Sequence, residues 1–233
     1  MAETVDILAC GAHPDDIEIG MGGTVATYIQ KGYNVAFLTL TLAELSSNGD
    51  IASRQQEAEE AAQHLGVSAR YQLELPDRGL TGIGEKKLEE VVDIIRLTKP
   101  TLVFMPAADR HPDHGQCGAL IKEAIFNAGI RRYGEGEAHK VKAAYRYFIN
   151  GFAKPDFVVD VTDAHSAKVA ALQAYKSQFV AQGGVKTPLT DGYIEAVIAR
   201  DRLFGKEVGV ALAEGFVAEN PLVMTNLLEG CGR

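Results

Sequence analysis

Along the first half of the chain, short apolar runs alternate with stretches whose apolar residues recur at helical spacing. The runs at 5–11, 34–41, 70–75 and 101–106 read as buried strands. Between them, 20–31, 53–65 and 85–97 read as helices; in the last, Leu88, Val91, Val92 and Ile95 fall on one face. Residues 113–128 make a fourth, with Leu120, Ile121, Ala124 and Ile125 together. Ser53 followed by Gln56 suggests a capping box at the second helix. This alternation predicts a Rossmann-like, doubly wound, mainly parallel sheet in a three-layer α/β/α arrangement. The second half is less regular: strands over 145–149 and 157–161, helices over 163–177 and 191–204, and a loop over 178–188 carrying Gly183-Gly184. With no repeat and no linker composition, residues 1–233 read as a single domain.

Two of the strand-like runs end in the same tripeptide. His13-Pro14-Asp15-Asp16 follows the first strand, and His111-Pro112-Asp113-His114 follows the fourth, so three of the six histidines sit at two strand ends. In a sheet of order 3-2-1-4-5, strands one and four are neighbours, and the crevice beyond their carboxyl ends is the usual ligand site. Imidazole and carboxylate converging there form the mixed ligand set of a catalytic zinc with an open position for water. His13, Asp16 and His114 are the candidate ligands. Asp15, beside a ligand, is free to move protons. His111, next to Asp113, is expected to be held as imidazolium by that carboxylate and to stabilise an oxyanion. The competing reading makes Asp15, Asp16 and Asp113 helix caps and the histidines loop residues; the pairing of the two motifs at adjacent strand ends argues against it.

Other residues are more ambiguous. Arg54 lies in the first turn of the second helix beside a long loop, where a guanidinium binds a carboxylate or sugar hydroxyl, or simply faces solvent. Tyr193, inside a helix expected to be capped by Asp191, either reaches the site with its hydroxyl or is a core or surface tyrosine. Asp77-Arg78-Gly79 is a turn of open function. His64, His139 and His165 read as surface residues. Gly20, Gly22 and Gly23 lack the dinucleotide-binding order and fit close helix packing instead.

The net charge of -8 argues against nucleic acid or an anionic membrane as partner. No apolar run reaches the ~18 residues that span a bilayer. No signal peptide is visible, and three widely spaced cysteines suggest a reducing cytoplasm.

Taken together, Ala12-His13-Pro14-Asp15-Asp16, Glu18-Ile19-Gly20, Gly22-Gly23 and His111-Pro112-Asp113-His114 resemble the PIG-L/LmbE-like family of zinc-dependent N-acetylglucosaminyl deacetylases. The resemblance continues through 44–49, Arg54, Pro76-Asp77-Arg78-Gly79 and Ala174-Tyr175-Lys176-Ser177-Gln178, and is strongest to the bacillithiol-biosynthesis branch. It implies an LmbE-like fold and one Zn²⁺ per chain on His13, Asp16 and His114. It further implies Asp15 as base and acid, His111 with Asp113 as charged partner of the intermediate, and Arg54 and Tyr193 as substrate contacts. The implied reaction is deacetylation of an N-acetylglucosamine derivative, N-acetylglucosaminyl malate in that branch, by a cytoplasmic homo-oligomer; related members form hexamers. The alternatives are a thiol-conjugate amidase and a non-catalytic metabolite-binding module on the same frame.

Overall fold

The computed structural model describes residues 4–180 and 184–223. Its frame is a seven-stranded sheet of order β3-β2-β1-β4-β5-β7-β6. The strands are β1 (Ile7–Gly11), β2 (Val35–Thr41), β3 (Ala69–Leu75), β4 (Leu102–Pro106), β5 (Ala143–Tyr147), β6 (Phe157–Asp160) and β7 (Ala213–Ala218). The first five run parallel in the expected order. β7 then pairs antiparallel with both β5 and β6. The helices are α1 (Asp16–Gln30), α2 (Ile51–Leu65), α3 (Glu85–Thr98), α4 (Pro112–Ala128), α5 (His165–Ala174), α6 (Lys176–Phe179) and α7 (Tyr193–Val208).

Side-chain alternation along the central strands divides the core. Ile7, Ala9, Val35, Phe37 and Phe104 join α1, α2, α5 and α7 on one face. Leu8, Cys10, Ala36, Leu38, Val103 and Met105 join α3 and α4 on the other. A strand buried on both sides is apolar at nearly every position, which is why β1 and β2 read as near-continuous apolar runs, interrupted in β2 only by Thr39 and Thr41.

Three local expectations need correction. The cap of α2 is Asp50, whose carboxylate accepts from the Ser53 backbone N–H while the Ser53 hydroxyl accepts from Asp50 N–H; Gln56 takes no part. Gly192, at φ 70°, precedes α7, and Asp191 instead pairs with Lys186 on the surface. β7 is absent from the apolar pattern, because Ala, Glu and Gly are poor strand formers and only pairing on both sides makes Ala213–Ala218 a strand. The glycines of α1 do serve packing: a Cβ at Gly20 would lie 2.0 Å from Tyr147, and one at Gly23 2.8 Å from Val161.

Candidate active site

β1 and β4 are adjacent and parallel, so the segments leaving their carboxyl ends meet at the point where the sheet winds in opposite directions. After β1 the chain turns sharply enough to put Asp15 at φ 102°, a conformation that costs about 1–3 kcal/mol in a residue with a Cβ. Asp16 holds that turn closed. Its Oδ2 accepts the backbone N–H groups of Ala12 (2.9 Å) and His13 (2.8 Å), which leaves Oδ1 facing His114 Nε2 at 3.2 Å. His13 Nδ1 lies 3.5 Å from Oδ2 of the same carboxylate. The three expected ligands therefore do converge from both strand ends, with Asp16 presenting a different oxygen to each ring.

Both rings are backed by carboxylates on their far nitrogens. His114 Nδ1 is 2.8 Å from each oxygen of Asp109, which also accepts the backbone N–H of His111 and of Asn150. His13 Nε2 faces Asp77 Oδ1 at 3.3 Å and Asp113 Oδ2 at 3.4 Å. Asp109 escapes a sequence reading, although it sits two residues before His111 in the motif loop; nothing in spacing alone separates such a residue from a surface aspartate.

Asp113 is where the structure departs most from expectation. No hydrogen bond or ion pair joins it to His111 among the described residues. Its fully buried carboxylate accepts the Arg78 backbone N–H (2.8 Å) and guanidinium (3.1 Å) and backs His13. His111 instead stacks on His114 at 4.9 Å and meets His13 edge-on at 4.9 Å, and its Nδ1 is buried without a partner. Burial, then the neighbouring His13 and His114 rings, lower its pKa, outweighing the more distant pull of Asp113. The carboxylate expected to hold His111 as imidazolium is engaged by Arg78 and His13 instead.

Arg54 lies beneath this loop. Its guanidinium donates to the carbonyl of Pro14, to Asp15 Oδ2 at 3.2 Å and to Ser46 Oγ at 3.0 Å. Burial pushes the Asp15 carboxyl up to about 6, against the opposing pull of Arg54. Tyr193 does reach the site: its hydroxyl meets Ile149 O and Asn150 Oδ1, both at 3.0 Å, and its ring lies on Phe179. His165, expected at the surface, is buried with Nε2 3.1 Å from Asp201. His64 is exposed as expected; His139 is partly buried and bonds Pro100 O.

Asp15, Asp16, His13, His111, His114, Arg54 and Tyr193 line one cavity of about 480 Å³, within the usual range for small-molecule sites. Donor atoms of His13, His111 and His114 lie within 4.8 Å of one another, as do those of His13, Asp77 and Asp113. The electrostatics suit a cation. Although burial opposes charge on both rings, the surrounding carboxylates raise His13 well above its ordinary value and His114 to about 9. A set of acceptors that holds protons this firmly is a set that a divalent ion can occupy in their place.

Comparison with known proteins agrees with this geometry. The profile described as "PIG-L: GlcNAc-PI de-N-acetylase" matches residues 8–125. The chain is 30% identical over 190 residues to a diacetylchitobiose deacetylase of Thermococcus kodakarensis, covering 74% of this chain and 70% of that protein. It is 29% identical over 186 residues to a probable N-acetyl-alpha-D-glucosaminyl L-malate deacetylase 2 of Bacillus subtilis, covering 74% and 82%. The crystal structure of a conserved protein from Thermus thermophilus superposes with a TM-score of 0.87 at 34% identity, covering 96% of this chain and 99% of that one. On these grounds, and with both His-Pro-Asp loops seated at one switch point, the chain belongs to the PIG-L family of de-N-acetylases.

Proposed function

We propose that this protein removes the acetyl group from the amide nitrogen of an N-acetylglucosamine derivative, with zinc as its resident ion. The observation that carries this reading is a carboxylate, Asp15, that faces the same cavity as His13, Asp16 and His114 and is held by Arg54 rather than by those groups. A pure binding module has no use for such a group. His13, Asp16 and His114 would hold the ion; when bound, it supplies Lewis acidity to the acetyl carbonyl and to an attacking water.

The protein's own groups account for the proton. Asp15, with its carboxyl near 6, is ionised at neutral pH and accepts a proton as water adds to the carbonyl carbon. It returns that proton to the amide nitrogen as the C–N bond breaks, giving acetate and a free amine. His111, on the cavity wall, donates an N–H to the oxygen that gains charge in the tetrahedral intermediate. Asp113 acts on His13 in this scheme. Arg54 orients Asp15, and a direct substrate contact is left to Tyr193 at the cavity edge.

What the sugar is joined to is a finer matter. The names of similar proteins divide among a disaccharide, a malate conjugate and an inositol glycoside. Arg78 and Arg110 at the cavity wall are the groups that would meet the carboxylates of malate. Among the described residues no helix is long and apolar enough to cross a membrane, and the buried free thiols Cys10 and Cys117 suit a reducing compartment such as the cytoplasm. The test is acetate release from N-acetylglucosamine derivatives by the zinc-loaded protein, abolished by a chelator and restored by metal. Zinc-loaded protein that releases no acetate from any of them refutes the reading.

A further inference from the structure

Arg200, on α7, is buried, and its guanidinium donates to two backbone carbonyls, Ile149 O through Nη1 and Ile19 O through Nη2, each at 2.7 Å. Ile149 and Ile19 both line the active-site cavity, whereas Arg200 does not. Each carbonyl lies where regular structure gives out. Ile149 follows the end of β5, past the bond from Ala107 N–H to Tyr147 O at 2.8 Å. Ile19 precedes the kink of α1 at Met21, and the N–H of Gly23, its partner in a regular helix, is taken by Glu214 Oε1 at 2.9 Å. Tyr193 lies two turns before Arg200 on α7, and its hydroxyl meets the same Ile149 oxygen. Asn150, the next residue, meets that hydroxyl through Oδ1 and gives its backbone N–H to Asp109, the carboxylate behind His114. The 149–150 segment is thus held from α7 on one side and from the motif loop on the other.

We propose that Arg200 is a positioning residue for the reaction: by tying Ile149 O to the first turns of α1, it places the Tyr193 hydroxyl for its contact with the substrate. The inference rests on the deacetylase reading, with Tyr193 as a substrate contact. A buried guanidinium is an expensive way to bond two neutral carbonyls if stability is all that is gained. Its carboxylate neighbour is Asp201, with Oδ1 3.6 Å from Nε, and Oδ2 of that carboxylate is already engaged by Lys168 and His165. What the planar fork does supply is a fixed separation and direction for two acceptors, which an ammonium cannot reproduce. With an apolar side chain in its place, both carbonyls lose their charged donor. The 149–150 segment can then turn, carrying with it the two oxygens on which the Tyr193 hydroxyl rests.

The test is a double-mutant cycle on the zinc-loaded protein, with N-acetylglucosamine hydrolysis read as kcat and KM. Tyr193→Phe and Arg200→Met should each raise KM about tenfold at nearly constant kcat, because a contact made equally in ground and transition states acts on KM. The double variant should show about the same tenfold, since both changes remove one contact. Arg200→Lys keeps the charge and one of the two bonds. It should recover part of the loss, and it takes the place of Arg200→Met in the cycle if that variant does not fold. Losses that multiply to about a hundredfold overturn the proposal. So does a fall in kcat at unchanged KM, which is what a smaller folded fraction gives. Calorimetric binding of N-acetylglucosamine to the same variants carrying Asp15→Asn separates this inference from the activity. An affinity loss at Arg200 that vanishes in the Tyr193→Phe background, without turnover in the parent, upholds the positioning and refutes the deacetylase. An affinity loss indifferent to Tyr193 overturns the positioning whatever the turnover, and a parent that neither hydrolyses nor binds the sugar refutes both.

Discussion

The carboxyl edge of β1 and β4 and the seam between α5, α7 and β7 both bury charge, and each includes histidine and more than one carboxylate. In the seam, the fully buried Lys168 ammonium sits 2.7 Å from Asp201 and 2.6 Å from Glu214, with His165 on Asp201 as well. Glu214 spends its remaining capacity on the N–H groups of Gly23 and Thr24. Those groups are freed where α1 kinks at Met21, whose φ of -148° interrupts the helix. Every strong charge there faces another one of opposite sign. At the strand ends, Asp16, Asp77, Asp109 and Asp113 surround two imidazoles, and both rings, with Asp16 and Asp77, open onto a cavity. One cluster carries its cation on the chain; on our proposal, the other recruits it. Buried ionisable groups mark a functional site when their charge is left uncompensated and accessible, and mark scaffolding when it is not.

This contrast is testable from both sides. Asp15→Asn at the strand ends should retain about one metal ion per chain, measured by elemental analysis, while kcat/KM falls by ~10²–10⁴-fold. Activity within a few-fold of the parent would assign the proton transfer to another group. At the seam, Lys168→Met removes the buried ammonium that Asp201 and Glu214 share and should cost about 3–5 kcal/mol in urea unfolding, with metal content of the folded protein unaltered. Metal lost from a stably folded Lys168→Met protein would show that the two clusters are not independent.

Sequence reasoning reaches the strand-end cluster and misses the seam for the same physical reason. His13, Asp15, Asp16, His111 and His114 sit within two short motifs, each placed by an apolar strand that alternation makes visible. Lys168, Asp201 and Glu214 come from three elements whose only common signal is their tertiary contact, and Glu214 lies in a strand with no strand-like composition. The same limit explains Asp113. Adjacency suggests that it serves His111, but at the first turn of α4 its side chain points across to Arg78 and His13, a direction set by packing and not by sequence distance.

Between those extremes lie the carboxylates behind the rings that we propose to face the ion. Asp109 holds His114 through Nδ1, which would leave Nε2 for the ion, so on our proposal Asp109→Ala should weaken zinc affinity about 10–100-fold without unfolding the protein. Asp113→Asn should act likewise through His13. Competition with a chromogenic chelator measures both. Unchanged affinity in both variants would mean that the ring orientations are fixed by packing alone.

The smallest expected effect is the most specific to mechanism. Asp15 must be ionised to accept a proton, so kcat/KM should rise with pH through about 6. Burial raises that carboxyl because water no longer solvates its charge, and the guanidinium of Arg54, 3.2 Å away, opposes the rise by favouring the ionised form. Removing the guanidinium takes away the opposing pull, so Arg54→Gln should move the acid limb to higher pH, by about one unit. Arg54→Lys keeps a positive charge near Asp15 and should move it less, although a single ammonium cannot also bond Pro14 O and Ser46 Oγ in the geometry of a planar guanidinium. Circular dichroism and metal content of each variant would establish that the loop and its ligands survive. An acid limb that stays in place in Arg54→Gln would show that the titrating group is not Asp15, and would reduce Arg54 to a brace for the His-Pro-Asp turn.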